Sequence, residues 1–230
     1  MENSSLKQRE DELFQRWPRT GSGFVTDGAT DANSYESAEC KVAFILKEPN
    51  GENGSWDMRS FAADGARAHT WNNIVRWSRV LKNLATDISW SGLEAVSKTD
   101  RMRELRSIVM MNLKKEPGGA VTDRVLLHSA ASVDKLLLRE QYELYEPNFT
   151  IFGGSGWLAK AALFDGEMKW HMGRRGIPFA LTSTGDVIID FWHPNARYPA
   201  YLLAYALVDV AREAIAERQH LQSCSATSNT

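Results

Sequence analysis

Four short apolar runs punctuate the chain, at residues 42–46 (VAFIL), 107–113 (SIVMMNL), 149–152 (FTIF) and 187–192 (VIIDFW). Each is too short for a typical helix and rich in β-branched, aromatic or long apolar residues, so each reads as a buried strand. Each gives way at once to polar and turn-forming residues: KEPNG after the first, Asn112 and KKEPGG after the second, GGSG after the third and HPNAR after the fourth. Pro49 cannot donate to a sheet ladder, so the first strand has to stop or leave its neighbour there.

Between the runs, apolar positions recur at helical spacing. Trp71, Ile74, Val75, Trp77, Val80, Leu81 and Leu84 predict a helix over 68–86. One helix is expected over 93–105, a leucine-rich pair over 122–146 that parts near 129–132, a helix over 157–164 and a closing helix over 201–217. Residues 177–181 read as an edge strand. Strand and helix thus alternate four times, which predicts an α/β protein: a single domain with a central, mainly parallel sheet and helices on both faces. The domain is expected over 41–218. Before it, residues 1–40 read as a short amphipathic helix followed by an irregular arm rich in Gly, Ser, Thr, Asp and Asn; residues 219–230 read as a disordered tail.

Parallel strands deliver their carboxyl ends to one edge of the sheet, the edge where open α/β sheets bind ligands. Glu48, Asn112 and His193, each at or just beyond a strand end, are therefore expected to line one cleft. The alternative for each is an ordinary strand-end polar residue.

Composition narrows the classes. A hydrophobic fraction of 43% and a charged fraction of 24% suit a globular domain. The net charge of -2 argues against a broad basic surface, though not against a local basic groove. Cys40 and Cys224, the only two cysteines, form no clustered metal pattern. With no bilayer-length apolar run and no apolar signal core, the expected setting is intracellular (nucleoid-associated if bacterial), away from membranes.

The motifs in order resemble those of the uracil-DNA glycosylase superfamily. FILKEPNGENG places Glu48 before Pro49, where that family has an apolar strand leading to an acidic or amide residue near a proline. IVMMN ends in Asn112, like the strand ending in a base-reading Asn; LYEPNFTIFGGSG matches a strand with a following glycine; HPNAR, with His193, matches the histidine-proline loop. The resemblance spans nearly everything from Lys41 to Ala214. It implies a monofunctional DNA glycosylase of base-excision repair that hydrolyses the N-glycosidic bond of uracil or another deaminated base. It also implies DNA carrying that base as the partner and no metal or cofactor; a monomer is one expectation, although the sequence leaves the oligomeric state open. The chain departs from the family where Glu48 replaces the usual Asp, Asn50 a methyl-rejecting Tyr, and Asn195 a Ser. Two cysteines cannot hold the iron-sulfur cluster of some branches. A hydrolase of free nucleosides or nucleotides, and an inactive interaction module with the same fold, are the alternatives.

The chemistry assigns roles. Cleavage puts positive charge on the sugar and negative charge on the departing base. The Glu48 carboxylate would orient water and answer the cation; Glu52 and Asp57 in the same loop are its substitutes. His193 would donate to the base anion as a neutral imidazole, with His171 a more distant alternative. Asn112 would read one edge of a flipped base. Trp56 or Phe61 would stack on it, with core packing as the rival role. Asn50 and Asn195 flank the two motifs. Gly154 and Ser155, ahead of a helix, are candidate phosphate contacts, as are Lys114, Lys115, Arg174, Arg175 and, with the best case, Arg197.

Overall fold

A computed structural model describes residues 4–18, 23–51, 54–119, 121–165 and 168–227. The first third comprises α1 (Leu6–Gln15), β1 (Val25–Thr26), β2 (Gly28–Ala29), α2 (Ala32–Glu36), β3 (Val42–Leu46), β4 (Trp56–Asp57), α3 (Met58–Ala63) and α4 (Ala68–Lys82). Then come α5 (Trp90–Glu94), α6 (Lys98–Leu105), β5 (Ile108–Asn112), α7 (Arg124–Val133), α8 (Lys135–Glu143), β6 (Phe149–Gly153) and α9 (Gly156–Phe164). The chain closes with β7 (Trp170–Met172), β8 (Pro178–Leu181), β9 (Val187–Phe191) and α10 (Ala200–Thr227).

The main sheet has the order β2-β5-β3-β6-β9-β8-β7. The four central strands β5, β3, β6 and β9 are parallel, while β2 at one side and β8 at the other run antiparallel to their neighbours. The result is a mixed sheet with a parallel centre. Both faces are covered, which is why the central strands are almost unbroken apolar runs. Alternation still sorts their side chains. Val42, Phe44, Ile108, Met110, Ile151 and Ile189 enter one core with α4 and α10; Ala43, Ile45, Val109, Met111, Phe152 and Ile188 enter the other with α1, α7, α8 and α9.

Several elements differ from the sequence expectation. The arm is part of the fold: α1 buries Leu6, Leu13 and Phe14, and Gly28 and Ala29 extend the sheet beside Met110 and Val109. Polar composition concealed this because the arm's anchoring side chains, Glu10 and Asp27, are themselves polar and buried. The expected helix over 93–105 is two, since Ser97 stops the chain and caps α6 with a reciprocal Ser97–Asp100 capping box. The strand at 178–181 is not an edge, because Trp170–Met172, expected to be a polar turn, pairs outside it. A helix, α3, occupies the loop after β3, capped by Asp57 accepting the Arg59 N–H at 2.8 Å. The closing helix continues to Thr227 instead of ending near 217. Among the described residues no helix is long and apolar enough to cross a membrane.

Candidate active site

Glu48 follows β3, which Pro49 terminates, and packs against the turn that follows β5. Its Oε2 accepts from Lys114 Nζ at 2.8 Å, and its side chain is 7% exposed. Its Oε1 is buried and has no hydrogen-bond partner among the described residues, an arrangement costly enough to call for a ligand or a water. The opposite wall is Gly118, whose N–H donates to Pro49 O at 2.8 Å. A Cβ at Gly118 would lie 2.1 Å from Glu48 Cδ, so only glycine leaves room for the carboxylate. Asn50 bridges Gly118 through its backbone and is exposed.

His193 lies two residues beyond β9, and only β6 separates β9 from β3. The glycines after β6 are set by this crossing. A Cβ at Gly153 would meet Leu46 Cδ2 at 2.7 Å and Pro194 Cδ at 3.1 Å. Gly154, at φ +69°, sits against the His193 backbone. The Gly153-Gly154 pair is thus required for close packing between the two candidate strand ends. Ser155 is fully buried and donates to Ile45 O at 2.6 Å. Its hydroxyl is spent inside the fold, a correction to the phosphate-contact expectation.

The imidazole is oriented. His193 Nδ1 accepts the Asn195 N–H at 3.1 Å, which leaves the proton on Nε2. Burial, reinforced by the nearby Lys47 ammonium, pushes the pKa down to about 4. His193 is therefore a neutral donor at pH 7. Its loop is held from α4: Asn73, buried, donates to Pro194 O at 2.7 Å and accepts from Arg76 at 2.9 Å.

Beside that loop runs an open groove of about 540 Å³, whose lining includes His69, Asn72, Arg76, Asn195, Arg197 and Tyr198. Arg197 and Tyr198 are exposed on its rim. Neither Glu48 nor His193 lines the groove; it flanks the candidate chemistry and does not contain it.

The remaining predicted residues take other places. Asn112 ends β5 at the expected edge, but its side chain is fully buried, donating to Asp27 Oδ2 at 3.1 Å, with Oδ1 unpartnered among the described residues. It does not face the open edge, because the arm covers it. Lys115 is buried on Asp27 at 2.7 Å, and Lys114 is engaged by Glu48, so neither is a free phosphate contact. Trp56 and Phe61 are half-buried and packed edge to face at 5.9 Å, with Phe61 on Trp71 at 5.8 Å, as parts of the core margin. Arg174 and Arg175 pair with Glu213 and Asp209 of α10, and His171 stacks on Phe179. Asp57 caps α3 and pairs with Arg59. Glu52 lies outside the described residues. Among the described residues, no three His, Cys, Asp or Glu side chains gather as a metal site would need.

No protein-family model matches the chain, and no curated protein matches it in sequence. Residue geometry therefore carries the functional argument.

Sequence reasoning missed Asn73 and Lys47, which hold and tune His193, and the buried group around Asp27. An apolar Phe24-Val25 and a small Gly28-Ala29 on either side of Asp27 were the available signal.

Proposed function

We propose that this protein is a DNA glycosylase with a uracil-DNA glycosylase-like fold, hydrolysing the N-glycosidic bond of uracil or another deaminated base in DNA. The observation that supports the reading is the placement of two complementary groups beyond the carboxyl ends of β9 and β3, two parallel strands of one sheet separated only by β6. One is a neutral imidazole whose Nε2 carries the proton; the other is a buried carboxylate with one oxygen unpartnered among the described residues. Glycosidic cleavage needs both. The departing base gathers negative charge at a carbonyl oxygen, and a fixed, uncharged donor stabilises it without first having to lose a proton. The sugar gathers positive charge, which the Glu48 carboxylate answers while its free oxygen holds the attacking water. Water adds to the anomeric carbon as the bond to the base nitrogen breaks. The bonding pair leaves with the base, and the water proton passes to solvent or base.

DNA as substrate is supported by the groove beside the His193 loop, where Arg197 and His69 offer cationic or polar contacts and Tyr198 an exposed ring, while Arg76 is held by Leu93 O, Glu94 O and Asn73. Trp192, preceding His193, is also exposed and lies edge to face with Tyr198 at 6.0 Å. A non-catalytic nucleic-acid-binding module is the second reading, favoured by the low exposure of Glu48 and its ion pair with Lys114.

The test is a panel of oligonucleotides, each with one uracil, hypoxanthine, xanthine or 5-substituted uracil, single- and double-stranded, scored for abasic sites and run beside the free nucleosides. Abasic sites in at least one deaminated-base oligonucleotide, with the nucleosides intact, are expected. Binding without excision throughout would establish the second reading, and nucleoside cleavage alone would move the activity off DNA.

A further inference from the structure

We infer that Asp27, in the N-terminal arm, is a positioning residue for the Glu48 carboxylate, acting through the 112–118 turn. The inference rests on the proposed role of Glu48, but its geometry stands independently.

Asp27 is fully buried and uses both oxygens. Oδ2 accepts the Asn112 N–H at 2.7 Å and Lys115 Nζ at 2.9 Å; Oδ1 accepts Lys115 Nζ at 2.7 Å and Gln141 Nε2 at 2.8 Å. Lys115 also donates to Asn112 O at 2.9 Å and Gln141 Oε1 at 2.7 Å. The two ends of a four-residue segment, Asn112 and Lys115, are thus clamped to one carboxylate. Lys114, the ligand of Glu48, lies between them, and Gly118, the wall behind Glu48, follows three residues later. With Lys115 pinned inward, Lys114 is left at the sheet edge, where its ammonium meets Glu48.

The arm reaches the other side of the site as well. Val25 N–H donates to Lys115 O at 2.8 Å, while Val25 and Thr26 pair with Trp56 and Asp57 in the segment that follows β3. One strand of arm therefore ties together the two loops whose meeting encloses Glu48. Its register cannot slip. Gly28 has φ +114°, and a Cβ there would lie 2.2 Å from Glu10 Oε1 and 2.3 Å from the Tyr145 hydroxyl. A carboxylate with five donated contacts does more than satisfy one buried lysine, since the Asn112 backbone N–H is among them.

The experiment separates positioning from bulk stability by measuring where protection is lost. Asp27→Asn leaves the buried Lys115 charge without its counter-ion and is itself at risk of misfolding. The double variant Asp27→Leu/Lys115→Met removes both buried charges together, a replacement that buried ion pairs often tolerate, and leaves Asn112 and Gln141 short of their partners. Native-state hydrogen exchange is followed at the amides of Leu113, Lys114 and Gly118, which donate to Leu46, Lys47 and Pro49, and at those of β6 and β9. In the folded double variant we expect exchange at the three turn amides to rise roughly tenfold or more while β6 and β9 keep wild-type rates. On any lesion the wild type excises, kcat should fall with KM nearly unchanged. Wild-type exchange at Lys114 and Gly118, or a uniform rise across the sheet, would overturn the inference. Exchange needs no turnover, so it decides this point even if no lesion is excised and the glycosylase reading fails.

Discussion

At the residue scale, His193 is the clearest case of environment setting chemistry. An imidazole in water would be partly protonated near pH 6.5; here burial and Lys47 hold it neutral down to about pH 4. A carbon-detected NMR titration should show the His193 ring changing charge near pH 4, with the Nε2–H tautomer above it. A midpoint near 6.5, or the Nδ1–H tautomer, would remove it as the fixed donor. The shift also has a sign in stability. Because the folded pKa lies below the unfolded value, there is no penalty above about pH 6.5. Below that the unfolded chain takes up a proton the folded state refuses, so stability falls until about pH 4, by an amount on the order of 3 kcal/mol. Glu10 and Asp134, both raised by burial, act in the opposite sense. The contribution is therefore read as a difference: urea melts at pH 7 and pH 4.5 should show wild type losing more stability than His193→Asn.

At the element scale, the site is made by turns that approach closely. Gly153, Gly154 and Gly118 sit where neighbouring segments leave no room for a Cβ: Leu46 and Pro194 side chains at Gly153, His193 at Gly154 and the Glu48 carboxylate at Gly118. Gly118→Ala tests this. The atom a Cβ would meet is the end of the flexible Glu48 side chain, so the fold can yield by moving the carboxylate. The expected outcome is a loss of excision of roughly a hundredfold, the scale of a lost preorganised contact, with a Tm change of only a few degrees. Near-wild-type excision would mean that the carboxylate's position is not critical. The same scale explains what the sequence showed. The four central strands and α4 were legible because burial on both faces writes continuous apolar runs and clear helical spacing. Residues 23–36 were not, because two-residue strands carry no period and their anchors are the polar Asp27 and Glu10. Glu48 and His193 were legible as polar residues beyond strand ends. The inward turn of Asn112, Lys115 and Ser155 depends on partners up to 110 residues away, which no local pattern encodes.

At the scale of the whole molecule, a parallel sheet centre brings residues 145 positions apart to one edge, and the arm closes one end of that edge. In the proposed reading, the groove beside the His193 loop takes the DNA strand and the sheet edge supplies the chemistry. This division predicts that charge removed at Glu48 alters the chemical step and leaves binding largely intact, since Glu48 lines no part of the groove. The most direct measurement is single-turnover excision by Glu48→Gln on the lesion that wild type processes best, with DNA binding titrated at two salt concentrations. The account predicts a rate at least roughly a hundredfold below wild type, with affinity and its salt dependence little changed; excision at the wild-type rate would contradict it.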